Sequence, residues 1–126
     1  MDHRPLIALA EDDPQLRSLL ASALETVGYR VLPVATGEHL VAIVRRLVAE
    51  GQALRLIITD VRMPTLGGLE AARILRAAGS AVPLIFMTAF GDAWTRSQAA
   101  HLGALLLDKP LSLQVLRRAV TQAIAP

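Results

Sequence analysis

The chain alternates between two patterns of apolar and polar residues. Five short and nearly continuous apolar runs are each followed by a longer segment in which apolar residues recur every three or four positions. The first pattern is typical of a strand buried on both faces, and the second is typical of an amphipathic helix. Strands are therefore predicted at 5–10, 29–35, 54–59, 83–88 and 104–107. Helices are predicted at 14–27, 37–50, 69–78, 93–102 and 113–124.

Five strands that alternate with five helices predict an α/β fold, in which a doubly wound parallel sheet carries helices on both faces. The 126 residues are predicted to form a single domain, 1–126, because this length can bury one core. Pro33 cannot donate a hydrogen bond to a neighbouring strand, so the second strand is expected at an edge of the sheet. Ligands of such sheets bind beyond the carboxyl ends of the strands.

The helix patterns also predict caps and buried positions. Asp13, Asp92 and Ser112 are the predicted N-caps of the first, fourth and fifth helices. The predicted buried stripes are Leu16, Leu19, Leu20, Ala23, Leu24 and Val27 in the first helix, Leu40, Ile43, Val44, Leu47 and Val48 in the second, Thr95, Ala99 and Leu102 in the fourth, and Leu113, Leu116, Val120 and either Ala123 or Ile124 in the fifth. The stripe in the fourth helix leaves Trp94 partly exposed.

Charged residues stand where three of the predicted strands end. Glu11 and Asp12 follow the first strand, Asp60 follows the third, and Lys109 follows the fifth. Lys109 is the only lysine, against twelve arginines, and its ammonium is a compact charge that suits a phosphate in a small site. Three carboxylates that converge at one edge repel each other. Mg²⁺ would relieve this repulsion, because it is a hard cation that binds carboxylates and phosphate oxygens.

The same edge carries the parts of a phosphoryl-transfer site. A carboxylate held in line with a phosphoryl donor can act as a nucleophile and form an aspartyl phosphate. The cation on one side and Lys109 on the other would stabilise the transferred group. Thr88 ends the fourth strand and brings a hydroxyl to this edge, where the Ala89 backbone N–H adds a donor. The sequence therefore predicts a magnesium-dependent phosphate site.

Composition and charge limit the chemistry, partners and location that the chain can have. The absence of cysteine excludes disulfides and thiol chemistry. The net charge is only +2, so the pI near 9.9 is weak evidence for nucleic-acid binding, and none is expected of this domain. The longest uncharged stretch, 77–91, is interrupted by Gly79 and Pro83, so no membrane span is expected. The N-terminus has no signal-peptide pattern, and a cytoplasmic location is predicted. None of the three histidines, His3, His39 and His101, has metal-ligand spacing, and all are predicted at the surface.

Five segments of the chain carry a resemblance to the receiver domain of two-component response regulators. The segments are Leu9-Ala10-Glu11-Asp12-Asp13-Pro14, Asp60-Val61-Arg62-Met63-Pro64, Gly67-Gly68-Leu69-Glu70, Met87-Thr88-Ala89 and Lys109-Pro110. Their order, spacing and strand context resemble the family over essentially all 126 residues. The resemblance implies a flavodoxin-like (βα)5 fold with strand order 2-1-3-4-5.

The resemblance also implies roles for residues. Asp60 would accept a phosphoryl group from a phosphohistidine of a sensor histidine kinase or a histidine phosphotransfer protein. Glu11, Asp12, Asp60 and the backbone carbonyl of Arg62 would hold Mg²⁺. Thr88 would move toward the phosphoryl group, Lys109 would pair with it, and Lys109-Pro110 would be a cis peptide. The domain would be a signalling switch and not an enzyme with a substrate of its own.

One position departs from the family pattern. Receiver domains commonly have Tyr or Phe three positions before the lysine, and this chain has Leu106. The working surface is predicted on the fourth helix, fifth strand and fifth helix. On it, Trp94, Gln98 and His101 share one helix face. Leu106 is expected to point to the same side, with Arg117 and Arg118 around it on the fifth helix. A homodimer and a contact with a kinase or target protein are both consistent with this surface, and the sequence does not rank them.

Two other function classes use similar folds. An aspartate-nucleophile phosphatase would need an Asp-x-Asp pair after the first strand, whereas here the nucleophile candidate follows the third. A flavodoxin-type nucleotide module would need a phosphate-binding loop where Glu11-Asp12-Asp13 would repel a phosphate. The residues favour the switch. The chain ends directly after the fifth helix, which is expected of either a single-domain regulator or a receiver taken from a longer protein.

Overall fold

The computed structural model describes residues 2–125. Its elements alternate between strands and helices, in agreement with the sequence pattern. The strands are β1 (Leu6–Ala10), β2 (Arg30–Val34), β3 (Leu54–Asp60), β4 (Leu84–Thr88) and β5 (Leu105–Asp108). The helices are α1 (Pro14–Thr26), α2 (Gly37–Ala49), α3 (Gly68–Ala77), α4 (Ala93–His101) and α5 (Leu113–Ile124). No helix within residues 2–125 has both the length and the apolar character that a bilayer crossing requires.

The five strands form one parallel sheet in the order β2-β1-β3-β4-β5. This order confirms the predicted flavodoxin-like topology. Pro33 lies in β2, at an edge of the sheet, as expected for a residue without a backbone N–H.

Each face of the sheet buries its own hydrophobic cluster, because successive side chains of a strand point to opposite faces. Ala8, Ile57 and Phe86 pack beneath α2, α3 and α4. Ile7 and Ile58 pack with α1 and α5 on the other face. The near-continuous apolar runs of the sequence follow directly from this double burial.

The strand register aligns the ends that carry charge. Ala10 of β1 lies opposite Thr59 of β3, so the residues that follow them are neighbours. On the other side, Thr88 of β4 lies opposite Asp108 of β5. The predicted functional residues are therefore brought to one edge of the sheet.

The predicted caps are confirmed. Asp13 accepts the backbone N–H of Gln15 at 2.9 Å. Asp92 and Ser112 each accept a backbone N–H three residues later, at 2.8 and 3.3 Å. These side chains satisfy donors that the first turn of a helix leaves free.

Three predicted core positions are wrong. Leu19 and Val27 of the first predicted helix are 53% and 47% exposed, and Val48 is 71% exposed. Each helix covers only one face of the sheet and has no layer outside it. The buried stripes are therefore narrower than the apolar pattern suggests. Leu105 is also 47% exposed, because β5 is an edge strand with a partner on one side only.

Candidate functional site

Three carboxylates converge beyond the carboxyl ends of β1 and β3. Glu11, Asp12 and Asp60 each place an oxygen within 4.8 Å of the other two, and we call them the acidic cluster. Their proximity follows from the pairing of β1 with β3, which sets Ala10 opposite Thr59. The predicted convergence is confirmed.

Lys109 extends into the acidic cluster from the end of β5. Its Nζ donates to Glu11 Oε1 at 2.8 Å and to Asp60 Oδ2 at 2.7 Å. The backbone holds this residue in place, since the Lys109 N–H donates to the Thr88 carbonyl at 2.7 Å. The Lys109–Pro110 peptide is cis, as the resemblance implied.

Burial sets the electrostatics of the acidic cluster. The Glu11 side chain is only 1% exposed, and burial raises its pKa, although bonds from Lys109 and from the Asp13 N–H act in the opposite direction. Burial alone would lower the pKa of Lys109, but its hydrogen bonds to Asp60 and Glu11 outweigh burial and raise it. The ammonium therefore stays charged between two carboxylates.

The donor set of the acidic cluster fits a hard divalent cation. Three carboxylates against one ammonium leave two negative charges uncompensated in a partly buried site. Asp12 is exposed, so the cluster is open to solvent and to the waters that Mg²⁺ retains.

Thr88 and Ala89 lie on the same edge. Thr88 is buried, and its Oγ1 accepts the Phe90 N–H at 3.0 Å. It is the last residue of β4, beside Asp108 and next to the backbone of Lys109. Ala89 follows it at an exposed position, which places its backbone in the loop that enters α4.

The loop after Asp60 returns closely against its own strand. A Cβ on Gly68 would collide with the Asp60 carbonyl oxygen and the Thr59 side chain. Only glycine fits this approach, which gives a physical reason for the Gly67-Gly68 pair. Arg62 lies in this loop and is exposed, with its guanidinium 6.0 Å from the centre of the Phe90 ring.

Two contacts at the site were not predicted. Arg17 of α1 donates to the Glu11 carbonyl at 2.8 Å and holds the turn that carries the acidic pair. The sequence signal for this contact was the position of Arg17, one helical turn after the Asp13 cap. Arg96 of α4 donates to both oxygens of Asp108 at 2.9 Å and to the Gly91 carbonyl at 2.8 Å.

Trp94 is 57% exposed, as predicted, and its contact with an arginine of α3 was not predicted. The Arg73 guanidinium of α3 lies 5.8 Å from the centre of the Trp94 ring, and Arg73 also donates to Gln98. The prediction placed Arg117 and Arg118 around Leu106 on the same surface as Trp94. Both belong to α5, which packs on the opposite face of the sheet, and their place around this surface stays a prediction.

Leu106 is half-buried and packs against the cluster that contains Phe86 and Ala99. Its side chain therefore faces the α4 side of the sheet, as predicted. The three histidines are exposed, in agreement with their predicted surface positions.

Comparison with known proteins identifies the family. Residues 7–121 match the family described as the response regulator receiver domain. The transcriptional regulatory protein ZraR of Salmonella typhimurium is 32% identical over 120 residues, which cover 94% of this chain and 26% of that protein. The sensor protein EvgS of Escherichia coli is 36% identical over 117 residues, which cover 92% of this chain and 9% of that protein. The chain thus spans about a quarter or less of these curated relatives.

Solved structures agree with this assignment. The signal receiver domain of a putative Luxo repressor protein from Vibrio parahaemolyticus superposes with a TM-score of 0.86 at 24% identity, covering 96% of this chain and 90% of that one. The signal receiver domain of a modulated diguanylate cyclase from Desulfovibrio desulfuricans has a TM-score of 0.80 at 31% identity, covering 96% of this chain and 94% of that one. With the acidic cluster, the lysine and the sheet order already in place, these matches show that the chain belongs to the response regulator receiver domain family.

Proposed function

We propose that the chain is a phosphoacceptor switch of a two-component or phosphorelay system, with Asp60 as the residue that is phosphorylated. The observation that carries this proposal is the bond from Lys109 Nζ to Asp60 Oδ2 within the acidic cluster. Asp60 is the only member of the cluster that ends the central strand β3. This position places its carboxylate at the sheet edge, where a donor would arrive.

The proposed donor is a phosphohistidine of a sensor histidine kinase or a histidine phosphotransfer protein. An Asp60 oxygen would form a bond to phosphorus while the phosphorus–nitrogen bond breaks, and the electron pair of that bond would stay on the imidazole nitrogen. The product is an aspartyl phosphate.

The residues around Asp60 would have distinct roles. Lys109 would neutralise charge on the transferred group, since its ammonium is already fixed at bonding distance from Asp60. The Thr88 hydroxyl would turn from its bond with the Phe90 N–H toward the phosphoryl oxygens, and the Ala89 N–H would provide a further donor. Arg17 would position the acidic pair through the Glu11 carbonyl.

Glu11, Asp12, Asp60 and the backbone carbonyl of Arg62 would hold Mg²⁺. When bound, the ion supplies positive charge that compensates the carboxylates and the phosphoryl oxygens. The two uncompensated negative charges of the cluster support this assignment.

We further propose that the signal leaves through the face formed by α4, β5 and α5. Arg96 joins α4 to the end of β5 through Asp108, next to Lys109, which gives a physical link from the site to this face. Leu106 provides no ring that could rotate inward, so the changes on this face are expected to be small. A homodimer or a contact with a target protein would use the same face.

The proposal includes the wider setting of the chain. Residues 1–126 would act as one receiver unit in the cytoplasm, without a membrane segment or direct nucleic-acid binding. The unit would catalyse only its own phosphorylation and dephosphorylation.

Acetyl phosphate tests the proposal without a cognate kinase. With Mg²⁺, the chain should gain one phosphoryl mass, and Asp60→Asn should gain none. Asp13→Asn is the matched control, because Asp13 is a neighbouring carboxylate that caps α1 and should leave labelling intact. Unchanged labelling of Asp60→Asn would refute the assignment.

A further inference from the structure

A seam between α3 and α4 combines exposed aromatic rings with unpaired arginines. Phe90 and Trp94 are 68% and 57% exposed, although the chain has only four aromatic residues. Each ring lies under a guanidinium, Arg62 over Phe90 at 6.0 Å and Arg73 over Trp94 at 5.8 Å. We call these four residues the arginine–aromatic seam.

The seam has a regular construction. Both arginines come from the segment formed by α3 and the loop before it, and both rings come from α4 and the loop before it. Phe90 and Trp94 are four positions apart, and Gln98 continues the line by accepting a hydrogen bond from Arg73. The result is a continuous surface along the junction of two helices.

The charge of the seam is only partly balanced by carboxylates within residues 2–125. The ion pairs formed within residues 2–125 involve Arg4, Arg30, Arg96 and Lys109, and neither arginine of the seam takes part in one. The carboxylate of Asp92 caps α4 through the Thr95 N–H and interacts with the charge of Arg62 at longer range, without forming an ion pair with it. Two cations are therefore available to a partner.

We propose that the arginine–aromatic seam binds an acidic amphipathic helix of a partner protein. Trp, Phe and Arg are the residue types enriched at the centres of protein interfaces. A junction of two helices suits a helix laid along it, with apolar anchors between the rings and carboxylates on Arg62 and Arg73. Charge complementarity to the two arginines requires a negatively charged partner segment.

Single-stranded nucleic acid is the competing occupant, and the seam suits it less well. Base recognition of that kind needs free ring faces for stacking and a track of positive charge for the backbone. Here each ring has a guanidinium over it, and the seam contains only two cations. The seam is present in the unmodified chain, so its binding can be tested without phosphorylation of Asp60.

Trp94 is the only tryptophan in the chain, and its fluorescence reports on the seam directly. The probe is a synthetic amphipathic peptide without tryptophan, with leucines on one helix face and glutamates beside them. Matched peptides replace every glutamate by glutamine or by lysine, and an oligothymidylate serves as the nucleic-acid probe. The acidic peptide should give a saturable blue shift at low salt, and its affinity should fall as salt rises.

The variants separate charge from apolar contact. Arg73→Gln should weaken binding of the acidic peptide several-fold, whereas Arg118→Gln, an exposed arginine of α5 on the opposite face, should leave it unchanged. Trp94→Ala should lower the affinity about tenfold by calorimetry. Val48→Ala, which removes another exposed apolar side chain, is the control for that loss.

Three outcomes would overturn the proposal. The first is equal binding of the glutamate and glutamine peptides, which would remove the role of charge. The second is tighter binding of the oligothymidylate than of the acidic peptide, which would assign the seam to nucleic acid. The third is no saturable change at Trp94 with the acidic peptide.

Discussion

Replacement of Lys109 by methionine should destabilise the chain through the two carboxylates that the ammonium now bridges. Glu11 Oε1 and Asp60 Oδ2 lie 2.8 and 2.7 Å from Nζ, and their side chains are only 1% and 11% exposed. Methionine keeps most of the aliphatic volume and removes the charge. The variant therefore isolates the electrostatic contribution, because the carboxylates are left facing each other without a cation.

The magnitude follows from the burial of the pair. Removal of one partner of a fully buried ion pair costs about 3–5 kcal/mol of unfolding free energy. Lys109 is 21% exposed, so some water reaches the site. We therefore expect a loss of about 2–3 kcal/mol at neutral pH without Mg²⁺. An unfolding entropy of about 2.1 cal/mol/K per residue converts this loss into a Tm decrease of about 8–11 °C.

The pH dependence has a definite sign. Burial raises the pKa of Glu11, so the folded protein binds a proton at a higher pH than the unfolded chain does. Acidification through the pH range between the unfolded-state and folded-state pKa values of Glu11 therefore favours the folded state. Loss of the Lys109 bond should raise the folded-state pKa of Glu11 further and extend this range to higher pH. The unfolding free energy lost in Lys109→Met should therefore decrease as the pH falls from neutral towards the ordinary pKa of a glutamate. In the native chain, the raised pKa of Lys109 means that its contribution is lost only above the ordinary lysine range.

Urea unfolding at several pH values, with and without Mg²⁺, measures these effects. Mg²⁺ should restore part of the stability of Lys109→Met, because it returns positive charge to the cluster. Arg118→Met is the control, since an exposed arginine of α5 should change stability by less than about 0.5 kcal/mol. A loss of the same size at acidic and neutral pH, or no loss beyond that of the control, would refute the reasoning.

Three further predictions concern the metal, the hydroxyl and the coupling. Asp12→Ala should raise stability by about 0.5 kcal/mol without Mg²⁺, because it relieves repulsion in the cluster. The same variant should lose both Mg²⁺ binding and phosphorylation, and normal labelling in the presence of a chelator would contradict this. Thr88→Val should lower stability by about 1 kcal/mol, because the Phe90 N–H loses its acceptor, and unchanged hydrogen exchange of that amide would contradict this. Because Leu106 replaces the usual ring, a phosphoryl mimic should change hydrogen exchange more at 88–92 than at 105–107, and the reverse order would exclude weak coupling.

The sheet and the acidic cluster were predictable because they depend on periodic and local signals. Continuous apolar runs indicate strands buried on both faces, and Pro33 indicates an edge strand. Parallel topology then brings the carboxyl ends together, so Glu11 and Asp60 meet without any knowledge of side-chain conformations. The exposure of Val48 was not predictable in this way, because the apolar pattern does not show how far the sheet extends beneath a helix.

The contacts around α4 depend on packing between elements that are distant in sequence. The stripe of Thr95 and Ala99 correctly gives the buried face of α4, but it does not show which helix lies beside the remaining faces. The contact of Trp94 with Arg73 of α3 therefore was not predicted. The Arg96–Asp108 pair joins α4 to the end of β5 through the long arginine side chain. No sequence periodicity indicates this pair.

The position of the acyl phosphate tests the central claim most directly. The chain would be phosphorylated by acetyl phosphate with Mg²⁺, reduced with borohydride, which converts an aspartyl phosphate to homoserine, and mapped by tandem mass spectrometry. We predict that homoserine appears at position 60 and nowhere else. Homoserine at Asp12 or Asp13, or a phosphoryl group on another residue type, would contradict the assignment of Asp60 as the phosphoacceptor.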